Sequence, residues 1–152
     1  EIRCAKGLRV IADHTFITAP PIDVLIVPGG LGARTHQLEN PRMIDFLRHR
    51  AANASVMMSV CTGVFLLEKA GLIAGKRATT HWGSMDRLRQ IPSLRVVQSR
   101  WVDDGNIITA AGVSAGIDAS LYLVGRLWDP AIARDIQKRM EYYPQPPYQQ
   151  NQ

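Results

Sequence analysis

Ser55-Val56-Met57-Met58-Ser59-Val60-Cys61-Thr62-Gly63-Val64-Phe65-Leu66-Leu67-Glu68-Lys69-Ala70-Gly71 decides the architecture, because it changes character halfway along. Ser55 to Val60 is a short, mostly apolar run of the kind found in strands covered on both faces. Val64 to Ala70 reads as a helix that stops at Gly71, since glycine suits the residue just past a helix end. Only Cys61-Thr62-Gly63 is left to join the two, so the strand passes into the helix through a tight turn. A buried strand followed at once by a helix is half of a parallel crossover unit.

The same reading extends outward in both directions. Pro20-Pro21 breaks the chain ahead of a second buried run, Val24-Leu25-Ile26-Val27, which enters the small-residue loop Pro28-Gly29-Gly30-Leu31-Gly32. Asn40-Pro41 has the form of an N-cap followed by proline at the first helical position, and Met43, Ile44, Leu47 and Ala51 recur at helical spacing to about Ala52. Nearer the start, Ile2 to Cys4 and Leu8 to Ala12 are short extended stretches around Gly7, expected as a small edge pair. Downstream, Arg77 to Thr80 is a short strand ending at His81-Trp82-Gly83, and Ser84 is placed to cap a short helix carrying Met85 and Leu88. Leu94 to Val97 and Trp101-Val102 are extended, and Asp104-Gly105 is expected to turn the chain into Ile107-Ile108-Thr109. Gly112 to Gly116 reads as a loop opening a helix from about Ile117 to Leu127, and a last helix runs from Asp129-Pro130 to before Pro144. This alternation predicts an α/β fold, a three-layer sandwich with a mostly parallel, flavodoxin-like sheet. A single domain over residues 1–143 is expected, with a mobile proline- and glutamine-rich tail over 144–152.

Composition narrows the function classes. At 152 residues and 46% hydrophobic the chain can bury one core, and no apolar run approaches the roughly 20 residues that span a bilayer. Two cysteines, Cys4 and Cys61, make no disulfide framework and suit a reducing, cytoplasmic setting. The net charge of +5 raises the question of nucleic acid, but the arginines are scattered and show no block of five like charges. Without helix-turn-helix or zinc-finger spacing, nucleic-acid binding is not expected of this chain alone. No His/Cys/Asp/Glu cluster has metal-ligand spacing, so neither a metal nor another cofactor is expected.

Three sets of residues carry candidate chemistry. Cys61, on a strand-to-helix turn, projects from the carboxyl edge of the sheet, where open α/β folds bind ligands. Unpaired N–H groups at the start of the following helix favour a thiolate there. The alternative is a buried structural cysteine, against which the small neighbours Thr62 and Gly63 argue. His81 also ends a strand, twenty residues after Cys61, which is room for one helix and one strand returning to the same edge. A cysteine nucleophile commonly works with a histidine that handles its proton. Gly29 and Gly30 follow a third strand on that edge and would let backbone N–H groups approach a developing anion. His14, His36 and His49 have no comparable setting, and Asp118 reads as a helix-dipole partner.

Several stretches together resemble the ThiJ/PfpI superfamily, with its class I glutamine amidotransferase-like fold. They are Asp23 to Gly30, the Cys61 turn, Ala70 to Lys76, Ala78-Thr79-Thr80-His81-Trp82 and Ala111 to Asp118, in order over most of 22–127. Cys61-Thr62-Gly63 and Ala115-Gly116-Ile117-Asp118 look most like isonitrile hydratases, while Thr79-Thr80-His81-Trp82 is shared with ligand-sensing domains of AraC-type regulators. The resemblance implies addition of water to an isonitrile, giving an N-substituted formamide. Cys61 would be the nucleophile or a thiolate that orients the substrate; Thr62 would bind the reacting group through its hydroxyl and backbone N–H, and His81 would tune Cys61 or move protons. Gly29 and Gly30 would bind at the anion, and Trp82 would edge a small apolar pocket for the substrate. It leaves two alternatives, a small-molecule or redox sensor and another amidase-like hydrolase. The expected partners are a small-molecule substrate and a second copy in a homodimer, with no membrane. Members of the superfamily usually begin with a strand and helix ahead of the matched stretches, and the turn between them carries a carboxylate facing the cysteine. The expectation is that Glu1 falls after that segment.

Overall fold

A computed structural model of the chain describes residues 1–4 and 7–145, so the expected tail falls outside the described residues from 146 onward. Strand β1 (Ile2–Arg3) pairs antiparallel with β2 (Arg9–Val10) as a separate two-stranded ribbon. The main sheet is built from β3 (Val24–Val27), β4 (Val56–Val60), β7 (Trp101–Asp104) and β8 (Ile107–Ala110), in the order β3-β4-β8-β7. The first three in that order run parallel, with Val27 opposite Ser59 and Val60 opposite Ala110, and β7 closes the far side antiparallel. The apolar run of β4 thus fills an inner position, where both faces are covered. β3 is hydrogen-bonded to β4 alone among the described residues, and Ile26 is 48% exposed there, so the symmetric burial expected of this strand is not met.

Helices cover both faces of the sheet. Met57 of β4 and Ile107 of β8 point into one core, shared with Ile44 and Leu47 of α2 (Pro41–Ala51) and with Val64 to Leu67 of α3 (Val64–Lys69). Val56, Met58, Ile108 and Ala110 point the other way, into a core with Ala119 and Leu123 of α5 (Val113–Leu127). α6 (Pro130–Arg139) packs on α5 from outside. The local signals at two helix starts operate as read: the Asn40 side chain accepts from the Arg42 N–H, the Asp129 side chain accepts from the Ala131 N–H, and proline follows each cap.

Three readings need correction. α5 begins at Val113, so Gly112 to Gly116 is not a loop. Gly116 lies inside the helix, where a Cβ would stand 2.9 Å from Val60 Cγ1; this glycine permits close helix–strand packing. The hairpin loop is Gly105-Asn106, one residue later than expected, because Gly105 takes the positive φ of 84° and Asp104 stays in the ladder opposite Ile107. Finally, the strand before His81, β5 (Arg77–Ala78), pairs with β6 (Arg95–Val96) in its own two-stranded sheet; it meets the main sheet through the Thr79 N–H, which donates to Thr109 Oγ1 at 2.9 Å.

Asp104 stitches that small sheet to the hairpin. It accepts from the Arg77 backbone N–H at 3.1 Å and from the Arg77 guanidinium at 3.2 Å, and these two bonds hold its carboxyl below the usual value. A depressed folded-state value means that the contribution to stability is present above the unfolded value and is lost as pH falls through the folded one. Asp104→Asn should therefore lower the melting temperature above about pH 4, and the gap from the parent protein should close under more acidic conditions. A gap that persists unchanged into strong acid would show that ionisation of Asp104 is not what holds β5.

Candidate active site

Cys61 follows directly on β4 and opens a single 3-10 turn, Cys61–Gly63, that leads into α3. Its φ is 58°, the left-handed region that residues with a side chain seldom occupy. Such backbone strain costs on the order of 1–3 kcal/mol and persists where surrounding contacts enforce it. Those contacts are visible. Gly63 lies so close to the end of β3 that a Cβ would sit inside the Val27 carbonyl oxygen and 3.0 Å from the Pro28 oxygen. A Cβ on Gly29 would come 2.6 Å from the Thr62 nitrogen and 2.9 Å from Cys61 Cβ. Glycine at 29 and 63 is thus the condition for the β3 loop and the cysteine turn to meet.

Thr62 locks the same contact. Its buried hydroxyl accepts from the Gly30 N–H at 3.0 Å and faces the Gly30 carbonyl oxygen at 3.3 Å. The Gly30 N–H, expected to point at an anion, is occupied by Thr62, and the hydroxyl expected to touch substrate is occupied by Gly30. The Thr62 backbone N–H, beside the glycine at 29, is the group of this pair that suits the anion role.

The loop carrying His81 joins the turn through Thr80, whose hydroxyl donates to the Cys61 carbonyl at 2.8 Å. His81 is half-buried, and its Nδ1 accepts from the Gly83 N–H at 3.2 Å. A neutral imidazole bonded in this way carries its proton on Nε2, so His81 is arranged as a donor rather than as a base. Trp82 tilts against His81 with ring centroids 5.5 Å apart, but its side chain is 80% exposed. The groove that holds Cys61, about 660 Å³, is lined instead by Ile26, Met58, Val60, Ile117 and Met140, so Trp82 does not edge it. A larger groove of about 890 Å³ is lined by the stacked Phe16–Phe46 pair with Arg42, His49 and Arg50, and contains no cysteine. Among the described residues no group of three or more His, Cys, Asp or Glu side chains is arranged to hold a metal ion, and no helix is long and apolar enough to cross a membrane.

A strained cysteine at the carboxyl end of an inner parallel strand, opening on an apolar groove, invites comparison with known proteins. The family model described as "DJ-1/PfpI family" matches residues 1–125. The chain belongs to the DJ-1/PfpI family. Isonitrile hydratase of Pseudomonas putida is 41% identical over 147 residues, which is 97% of this chain and 64% of that protein. The HTH-type transcriptional regulator CdhR of Pseudomonas aeruginosa is 30% identical over 139 residues, 91% of this chain and 41% of the regulator. A ThiJ/PfpI family protein from Pseudomonas syringae superposes with a TM-score of 0.87 at 38% identity, covering 93% of this chain and 59% of that one. The chain therefore spans about three-fifths of the length of the Pseudomonas putida and Pseudomonas syringae relatives.

Within this DJ-1/PfpI domain, Asp118 differs from its reading as a helix-dipole partner. It pairs with Arg100 at 2.5 Å and accepts from the Tyr142 hydroxyl at 2.9 Å, fastening the start of α5 to the entrance of β7 and to the chain after α6. Burial and this bond together push the Tyr142 hydroxyl above the usual tyrosine value. Thr80 was missed altogether. Thr80 stands inside the Thr79-Thr80-His81-Trp82 motif, but nothing local marks its hydroxyl for a partner nineteen residues away.

Proposed function

We propose that this DJ-1/PfpI domain is an isonitrile hydratase-like lyase with Cys61 as its nucleophile. What supports the reading is the left-handed backbone of Cys61 at the mouth of an apolar groove. The 41% identity to an isonitrile hydratase supplies the reaction. The Cys61 sulfur bonds to the isonitrile carbon, and the thiol proton ends on that carbon, giving a thioformimidate. Water adds across its C=N bond. The C–S bond then breaks, the sulfur recovers a proton, and the N-substituted formamide leaves, so that one water is consumed and the thiol is regenerated. The Thr62 backbone N–H faces charge as it develops, Gly29 keeps that amide approachable, and Gly30 holds Thr62 in place. His81 carries protons through Nε2. Ile26, Met58, Ile117 and Met140 receive the apolar substituent on nitrogen. Residues 1–143 act as the single domain, in the cytoplasm, as a homodimer, with no cofactor and no nucleic acid.

The test is to incubate the protein with an alkyl isonitrile and to follow formamide by proton NMR, with intact mass measured in parallel. Formamide in many-fold excess over protein is expected. Absence of both formamide and a Cys61 adduct would remove the proposal. The 30% identity to CdhR favours a second reading, a small-molecule or redox sensor domain of an AraC-type regulator. That reading predicts one oxidation or one bound ligand per Cys61 and no turnover. Another amidase-like hydrolysis on the same thiol would release ammonia from carboxamides instead.

A further inference from the structure

We infer that Thr80 is a positioning residue for Cys61, holding the cysteine in its left-handed turn by a hydrogen bond to the cysteine's own carbonyl; the role rests on Cys61 being the reacting group of the function proposed above. Thr80 is 1% exposed, and its hydroxyl donates to the Cys61 carbonyl oxygen at 2.8 Å. A backbone at φ 58° is kept there by its surroundings rather than by its own preference, so a bond to the strained residue itself is placed where it matters most. The bond also comes from a loop that is fixed independently. The Thr79 N–H donates to Thr109 Oγ1 on β8, and the Thr79 hydroxyl donates to the Ser99 carbonyl at 3.0 Å. Thr79 anchors the loop to the sheet and Thr80 passes that anchorage to the cysteine. Because His81 is the next residue, the same hydroxyl sets the spacing between the turn that carries the thiol and the loop that carries the imidazole. Valine at 80 would keep the shape and remove the donor.

The experiment compares alkylation of Cys61 with that of Cys4 in the same sample, by iodoacetamide and peptide mapping, for the parent chain and for Thr80→Val, Thr80→Ser and Thr79→Val. In Thr80→Val the Cys61-to-Cys4 rate ratio is expected to fall about tenfold, the scale of one lost buried hydrogen bond. Thr80→Ser, which retains the hydroxyl, should restore the ratio. Thr79→Val keeps the backbone N–H bond to Thr109 and loses only the hydroxyl bond to Ser99, so it should lower the melting temperature and leave the ratio near the parent value. If Thr80→Val melts below the working temperature, Thr80→Ala gives the same comparison, since a water can satisfy the carbonyl there without fixing it. An unchanged ratio in these Thr80 variants, or no recovery in Thr80→Ser, overturns the role. A parent chain that gives neither formamide nor a Cys61 adduct from the isonitrile, while Thr80→Val still shows the drop, overturns the function proposed above and leaves the role of Thr80 standing.

Discussion

Replacing Cys61 by glycine is expected to raise the melting temperature while abolishing turnover. The stability gain comes from the backbone. Cys61 sits at φ 58°, where a residue with a Cβ is strained by on the order of 1–3 kcal/mol and glycine is not. Against this stands the greater freedom of glycine in the unfolded chain, about 0.5–1 kcal/mol. Little burial is lost, since the cysteine is only half-buried. A net gain of about 1 kcal/mol corresponds to a rise of about 2–4 °C in a protein of this size. Loss of a nucleophile typically removes at least about a thousandfold of activity. Cys61→Ser separates the two effects, because it keeps the strain and loses the thiol; it should match the parent in melting and the glycine variant in inactivity. A Cys61→Gly protein that melts below the parent would show that the turn stores no strain.

The largest loss of stability is expected from Gly63→Ala. The added methyl would collide with the Val27 and Pro28 carbonyl oxygens, which belong to the neighbouring strand's backbone and cannot rotate aside. Overpacking against atoms that yield this little costs about 3 kcal/mol. A domain holds only about 5–15 kcal/mol in total. The melting temperature should fall by about 10 °C. Gly71→Ala serves as the comparison: a Cβ there meets nothing within 4 Å, and only its φ of 75° is unfavourable. Its expected penalty is about 1 kcal/mol. Equal losses in the two variants would mean that the approach of β3 to the cysteine turn is not tight.

What the sequence made legible was local. β3 is marked by an unbroken apolar run and β4 by a mostly apolar one, and α2 and α6 by a polar cap followed by proline, because each signal lies within a few residues. Cys61 stood out for the same reason, at the junction of two periodicities. What stayed hidden depends on residues far apart in the chain. Gly116 looked like a helix breaker because the Val60 side chain that demands a glycine is fifty-six positions away. The Thr62–Gly30 bond spans thirty-two residues and the Thr80–Cys61 bond nineteen, so neither leaves a local trace. The Thr62 hydroxyl and the Gly30 amide occupy each other, which removes both from the direct contact with substrate that the local sequence predicts.

The two borders of the main sheet differ in what they leave open to pairing. β7 ends in Asp103 and Asp104, whose carboxylates are engaged by Arg126 and Arg77. β3 is aliphatic throughout, Val24-Leu25-Ile26-Val27, with Asp23 and Pro28 only at its ends. Soluble proteins ordinarily protect such a margin with charge, proline within the strand, or a covering segment. Among the described residues β3 pairs with β4 alone, so its outer ladder is open to a further strand, from a preceding segment or from another polypeptide. A strand added there would extend the sheet through backbone hydrogen bonds and leave the helices and the cysteine turn undisturbed.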